Sequence, residues 1–167
     1  MSNGHVNGNS HHFLSPSLGE LSFEDVRKHV LSFIKKDPSH IYRLIIGTDS
    51  APKDSLGADF VSAIVVHRVG HGGIYFWRRY EHNKQMVLRD RIYQEAMYSL
   101  ALAHDVVKSF TGNGVASHDV EIHVDVGQKG ETRDMIAELV GMIRGSGFTV
   151  KTKPDSFGAS KVADRHT

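Results

Sequence analysis

Three acidic residues stand out by where they fall in the chain, and a fourth by its neighbours. Asp49 closes the apolar run Leu44-Ile45-Ile46-Gly47-Thr48-Asp49, and Asp125 closes Val120-Glu121-Ile122-His123-Val124-Asp125. Both positions read as the carboxyl end of a strand, where open α/β sheets put their ligand crevice. Loop-forming residues follow each, Ser50-Ala51-Pro52 and Val126-Gly127-Gln128. Taken singly, such an Asp is also a common turn former or helix cap. Glu95 lies in a long helical stretch, in the middle of the stripe formed by Leu88, Ile92, Ser99, Leu102, Ala103 and Val106. A carboxylate facing a core costs several kcal/mol unless it is paired, protonated or bound to a cation. An internal ion pair and a metal site are therefore both open for Glu95. Asp164, in Ala159-Ser160-Lys161-Val162-Ala163-Asp164, has small residues around it that would let a helix pack closely on a sheet. A lone Asp in such a place is otherwise an ordinary exposed acid.

Carboxylates gathered from several elements suit Mg²⁺ or Mn²⁺ rather than zinc. Two such ions about 4 Å apart activate a water and stabilise the leaving oxygen in phosphodiester cleavage. That chemistry needs clustered acids and no nucleophilic side chain. The absence of cysteine fits, since it excludes disulfides, thiolate zinc sites and cysteine nucleophiles together. No H-E-x-x-H, G-x-S-x-G or G-x-G-x-x-G is present.

Three further features have two readings each. Gly127-Gln128-Lys129-Gly130-Glu131-Thr132 lacks the G-x-x-x-x-G-K-[ST] spacing of a triphosphate loop. A helix N-terminus beside Lys129 would still suit one phosphate of a polynucleotide, the alternative being a plain turn capped by Thr132. Trp77-Arg78-Arg79-Tyr80, with Lys84, Arg89 and Arg91, is a cationic-aromatic cluster of the kind that stacks bases and holds phosphates. The favoured reading is nevertheless a solvated strand edge whose aromatics alternate into the core. His123 shares a strand face with Asp125 and reads as a satisfied core histidine, with ligand and proton shuttle as alternatives.

These residues need a scaffold, and the chain supplies one. At 167 residues, 40% hydrophobic and 23% charged, it is long and apolar enough for one globular domain. The longest apolar stretches, such as Val61 to Val66, are strand-sized and cannot span a membrane. No secretory signal is visible, which together with the lack of cysteine makes a cytoplasmic location the expectation. The net charge of +1 requires any basic surface to be local. Residues 1–12 are Ser, Asn, Gly and His with little to bury and read as a disordered lead. From residue 13 to 167 a single domain is expected.

Ser22, with Asp25 three positions on, opens a helix to about residue 36 with Phe23, Val26, Val30 and Ile34 along one stripe; Asp37-Pro38 stops it. Strands follow at Tyr42–Asp49, Phe60–Arg68 and Ile74–Tyr80, the last two joined through Gly70, Gly72 and Gly73. A helix from Gln85 to Phe110, a strand from Val120 to Asp125, a helix from Glu131 to Arg144, a short strand from Phe148 to Thr152 and a short helix from Phe157 to His166 complete the chain. The core order is β-β-β-α-β-α-β-α behind one extra N-terminal helix. That order implies a mixed five-stranded sheet with helices on both faces.

The order of elements, with acids on the first strand, the first long helix, the fourth strand and the last helix, resembles the ribonuclease H-like superfamily. Within it the chain is similar to the YkuK-type family of small ribonuclease H-like proteins. The likeness is carried by Ile46-Gly47-Thr48-Asp49-Ser50, by Arg91-Ile92-Tyr93-Gln94-Glu95-Ala96, by His123-Val124-Asp125-Val126-Gly127 with Gly130-Glu131-Thr132, and by Lys153-Pro154 leading to Ala159-Ser160-Lys161-Val162-Ala163-Asp164. It runs from about Phe13 to the end. The resemblance implies Asp49 and Asp125 as central metal ligands. It implies that Glu95 holds a second metal and orients water, and that Asp164 completes the set. Two departures stand beside it. Ribonucleases H proper often carry a mobile His shortly before the last acid, whereas Lys153 to Ala163 contains none and His166 follows Asp164. The last helix is also short and prone to fray.

The function expected from these readings is metal-dependent hydrolysis of nucleic acid, whether RNA, DNA or a hybrid, with Mg²⁺ or Mn²⁺ as cofactor. The alternative is a non-catalytic nucleic-acid-binding or assembly module on the same fold. A hydrolase of small phosphoesters is a third reading.

Overall fold

The structure is a computed structural model and describes residues 12–53, 57–116, 119–127, 130, 132–156 and 158–167. Its elements are β1 (Phe13–Ser15), β2 (Gly19–Leu21), α1 (Phe23–Lys36), β3 (Tyr42–Pro52), β4 (Ala58–Arg68), β5 (Gly73–His82), α2 (Leu88–Ser109), β6 (Val120–His123), α3 (Arg133–Gly145), β7 (Thr149–Lys151) and α4 (Ala159–His166). The strands form one mixed sheet in the order β2-β1-β5-β4-β3-β6-β7. β3 pairs parallel with β6 and β6 with β7, while the remaining pairs are antiparallel.

β3 lies inside this order, between β4 and β6, and Leu44 to Thr48 are buried one after another. Consecutive burial is what a strand covered on both faces shows. One face packs against α1, α2 and α3 through Val26, Val30, Ile46, Ile64, Leu102, Ile122 and Leu139. The other carries the smaller cluster of Ile45, Val61, Ala63, Ala159 and Ala163, with Trp77 against it, and its cover is α4.

The expectation of five strands is corrected to seven. The five expected strands are present as β3 to β7, and the hairpin of β1 and β2 extends the sheet beyond β5 through the pairing of Leu14 with Trp77. Three-residue strands carry no measurable period, so their pairing partners decide them. Phe13 is fully buried, packs on Phe23 and lies under the Arg78 guanidinium, 4.9 Å from its ring centroid. β5 is accordingly an interior strand, not the solvated edge considered above. The expected lead at residues 1–12 lies, apart from His12, outside the described residues.

Local chemistry settles several ends. Ser22 and Asp25 form a reciprocal capping box at the start of α1. Gly70 and Gly72 take positive φ of 79° and 77° in the β4–β5 turn, where an L side chain would be strained. α2 begins at Leu88 rather than Gln85, and Leu88 is half exposed, so it leaves the apolar stripe. Thr132 stands at the N-cap of α3 without a side-chain capping bond, so the capped turn considered for it does not form. Gln128, Lys129 and Glu131, and with them the phosphate-contact reading, lie outside the described residues. No helix among the described residues is long and apolar enough to cross a membrane.

Candidate metal centre

The register of β3 against β6 sets two of the acids side by side. β6 ends at His123, opposite Gly47, which brings the segment carrying Asp125 beside the part of β3 that carries Asp49. The strand ends differ from those expected. β3 does not stop at Asp49, because its pairing with β4 continues to Pro52 opposite Ala58. β6 stops before Asp125, because Val126 N–H turns back onto the Val124 carbonyl. Asp49 is thus held rigidly inside a strand and half-buried, whereas Asp125 stands exposed on the segment after one.

Glu95 is 8% exposed on the sheet-facing side of α2, among Ile92, Ala96 and Ser99. It accepts a hydrogen bond of 2.5 Å from the Ser50 hydroxyl, and Arg91, one turn earlier on α2, reaches the same hydroxyl at 3.4 Å. An ion pair to Glu95 was one reading of its burial; among the described residues none forms, and Arg91 acts on it as a neighbouring charge. Below this point Ser99 donates to the Thr48 hydroxyl at 2.8 Å, and Thr48 and Ser62 share a bond of 2.7 Å. These buried hydroxyls pin α2 to β3 one turn from Glu95.

Asp164 is exposed and is carried by α4, the cover of the opposite sheet face. α4 lies against β3 and β4 through Ala159 and Ala163, both fully buried. Gly47 makes this approach possible, since a Cβ there would stand 2.8 Å from the Ala159 Cβ. Side chains alternate along a strand, so the adjacent residues Asp49 and Ser50 address the two faces, Asp49 toward α4 and Ser50 toward α2.

The acids sense one another. The Asp49 carboxyl is pushed up from 3.8 to about 6, first by burial and then by the charges of Asp164 and Asp125, against the Ser50 N–H and Arg91, which pull it down. Glu95 is pushed up from 4.5 to about 7, again by burial first, with Asp49 and Asp125 adding to it and Ser50 and Arg91 opposing. Asp49 on β3 thus feels the acids of α4 and of the segment after β6, and Glu95 on α2 feels Asp49 and Asp125. Among the described residues, no three His, Asp or Glu side chains stand close enough to form a ligand group as they are. The donor chemistry nevertheless suits a hard divalent cation, which would relieve the mutual repulsion and would be met by oxygen alone.

Other side chains at the centre were not singled out by the sequence in these roles. Lys153 sets its ammonium 3.0 Å from Asp125 Oδ1, on a segment tied to the Asp125 loop by Lys153 N–H to the Val126 carbonyl. Ser50 was read only as a loop former. Its proximity to Asp49 was the available signal, but pairing with Glu95 joins residues 45 apart. His123 is satisfied on one side only. Its Nε2 lies 3.0 Å from Glu121 Oε2, while the buried Nδ1 has no hydrogen-bond partner. Burial is the main cause that lowers its pKa, favouring the neutral ring.

Comparison with known proteins agrees with this architecture. The family described as ribonuclease H-like matches residues 25–167. The chain is 35% identical to the uncharacterized protein YkuK of Bacillus subtilis (strain 168), over 93% of this chain and 96% of that protein. No solved structure matches. With the matched region reaching from α1 through every candidate acid to the end of α4, the chain belongs to the ribonuclease H-like family.

Proposed function

We propose that this protein hydrolyses phosphodiester bonds of nucleic acid with the help of Mg²⁺ or Mn²⁺ held by Asp49, Glu95, Asp125 and Asp164. The observation that carries the reading is the convergence of charge on the half-buried Asp49 and the buried Glu95: Asp164 and Asp125 act on Asp49, and Asp49 and Asp125 act on Glu95. Membership of the family points the same way, toward nucleic acid as the substrate class. When bound, divalent metal would activate water and stabilise the leaving oxygen. The chain's own part follows from its geometry. Asp49 on β3, and Asp125 just past the end of the parallel neighbour β6, would offer the central oxygens. Glu95, buried on α2 beside Ser50, would hold a second metal and orient water. Ser50, itself met by Arg91, holds Glu95 in place, and the Thr48, Ser62 and Ser99 hydroxyls fix the strand and helix that carry Ser50 and Glu95.

The test is cleavage of RNA, DNA and hybrid substrates with Mg²⁺ or Mn²⁺. Asp49→Asn and Asp125→Asn are each expected to abolish metal-dependent cleavage with circular dichroism unchanged. Full activity in either variant would sink the reading.

One observation favours a second reading, a nucleic-acid-binding or assembly module without catalysis. Lys153 already supplies Asp125 with a positive charge. This reading expects salt-sensitive binding that is indifferent to EDTA, with no hydrolysis across the same substrates.

A further inference from the structure

Asp164 is exposed on α4, its charge bears on Asp49 only while α4 stays docked, and α4 has little of its own to hold it. It is eight residues long, and its N-cap Gly158 makes no side-chain capping bond. An isolated helix of that length is marginal in water. Its first half is fastened by Ala159 and Ala163 against Gly47 and Ala63. Its last turn is fastened by something else. The His166 ring lies parallel to Trp77 of β5, with centroids 4.2 Å apart and an interplanar angle of 13°. Tyr75 flanks the same ring, its hydroxyl 3.4 Å from Nε2, and Arg79 donates to the His166 carbonyl. At 3.6 residues per turn, Ala159, Ala163 and His166 share one helix face, and Asp164 lies about 100° round from Ala163. Attachment at both ends of that face therefore fixes the rotation of α4, and with it how near the exposed Asp164 carboxylate stands to Asp49.

We propose that the Trp77–His166 stack is a latch that positions Asp164, so that docking of α4 and divalent-cation binding at the carboxylate cluster reinforce one another. The coupling rests on the metal reading above; the latch itself does not. Asp164 and Asp49 repel while both are charged and no cation lies between them, and a cation shared by them turns that repulsion into attraction. Linkage is reciprocal: whatever loosens α4 must weaken the cation, and the cation must tighten α4. His166 is a positioning residue in this scheme, acting through Asp164.

Trp77 is the sole tryptophan, so intrinsic fluorescence reports the stack directly. The experiment uses the full chain and compares wild type, His166→Ala, His166→Phe, Asp164→Asn and the double variant His166→Ala/Asp164→Asn. Mg²⁺ binding is read by calorimetry, and docking by Trp77 emission and by hydrogen exchange of residues 159–166. His166→Ala is expected to shift the emission, to speed exchange across α4, and to weaken Mg²⁺ binding about tenfold. Asp164→Asn should weaken binding as well, and the double variant should bind no worse than Asp164→Asn alone. His166→Phe, which keeps a stacking ring, should restore most of the affinity. Unchanged exchange in α4 of His166→Ala overturns the latch. Wild-type affinity in His166→Ala, or losses that multiply in the double variant, overturns the coupling. A wild type that binds no Mg²⁺ overturns the metal reading and the coupling with it, and exchange alone then decides the latch. Intact Mg²⁺ binding without cleavage counts against the proposed reaction and leaves the latch standing.

Discussion

Gly47 of β3 and Ala159 of α4 meet so closely that a methyl group added at Gly47 would lie 2.8 Å from the Ala159 Cβ and 3.2 Å from the His123 carbonyl oxygen. A residue in the first apolar strand thereby sets how near the last helix can come. Only hydrogen at this position lets Asp164 approach the strand that carries Asp49.

Gly47→Ala should displace α4 while leaving the hydroxyl-pinned α2 side in place. Overpacking at such a contact costs about 1–3 kcal/mol. The expected result is a lowered Tm, faster hydrogen exchange confined to residues 159–166, and weakened Mg²⁺ binding. Exchange that rises instead in α2 would show that the strain travels to the other face.

The raised carboxyls predict a pH dependence of stability with a definite sign. Glu95 is held at about 7 in the folded protein against an ordinary 4.5, and Asp49 at about 6 against 3.8. The folded state binds these protons more tightly than the unfolded chain, so stability falls as pH rises from about 4 to about 7 and levels off above. Glu95→Gln removes one share of that loss. In EDTA it should be more stable than wild type at pH 8, by roughly 3 kcal/mol at most, with the difference shrinking toward pH 4. Urea unfolding at pH 5 and pH 8 measures this, and Mg²⁺ at pH 8 should narrow the gap by stabilising the wild type. A gap that is the same at both pH values would mean that charge at Glu95 is not its cause.

Lys153→Met separates the two functional readings. The ion pair with Asp125 is largely exposed, so its loss should change stability by less than about 1 kcal/mol. If Asp125 serves a cation, freeing it of Lys153 should tighten Mg²⁺ binding severalfold. If Lys153 serves nucleic acid, binding should weaken for every sequence and the salt slope should fall by about 1. Titrations with Mg²⁺ and with a fluorescent single-stranded oligonucleotide read the two effects independently.

Much of the scaffold was legible in the residues because it is local. The capping box of Ser22 and Asp25, the glycines of the β4–β5 turn, the runs that form β3 and β4, and the core-facing position of Glu95 all follow from spacing and side-chain type. The short hairpin of β1 and β2 was not legible, since three-residue strands exist only through what they pair with. The relations that define the centre belong to the tertiary structure for the same reason. Ser50 finds Glu95 across 45 residues, Lys153 finds Asp125 across the parallel strands, and His166 finds Trp77 across the sheet. The sequence by itself determined that Asp49 and Glu95 lie on β3 and α2 and that Asp164 lies on the last helix, because hydrophobic period and turn chemistry are written in neighbouring residues, whereas Asp125 falls past its strand. Register and helix docking alone decided that these acids share one electric field, because those depend on contacts between segments that no local pattern encodes.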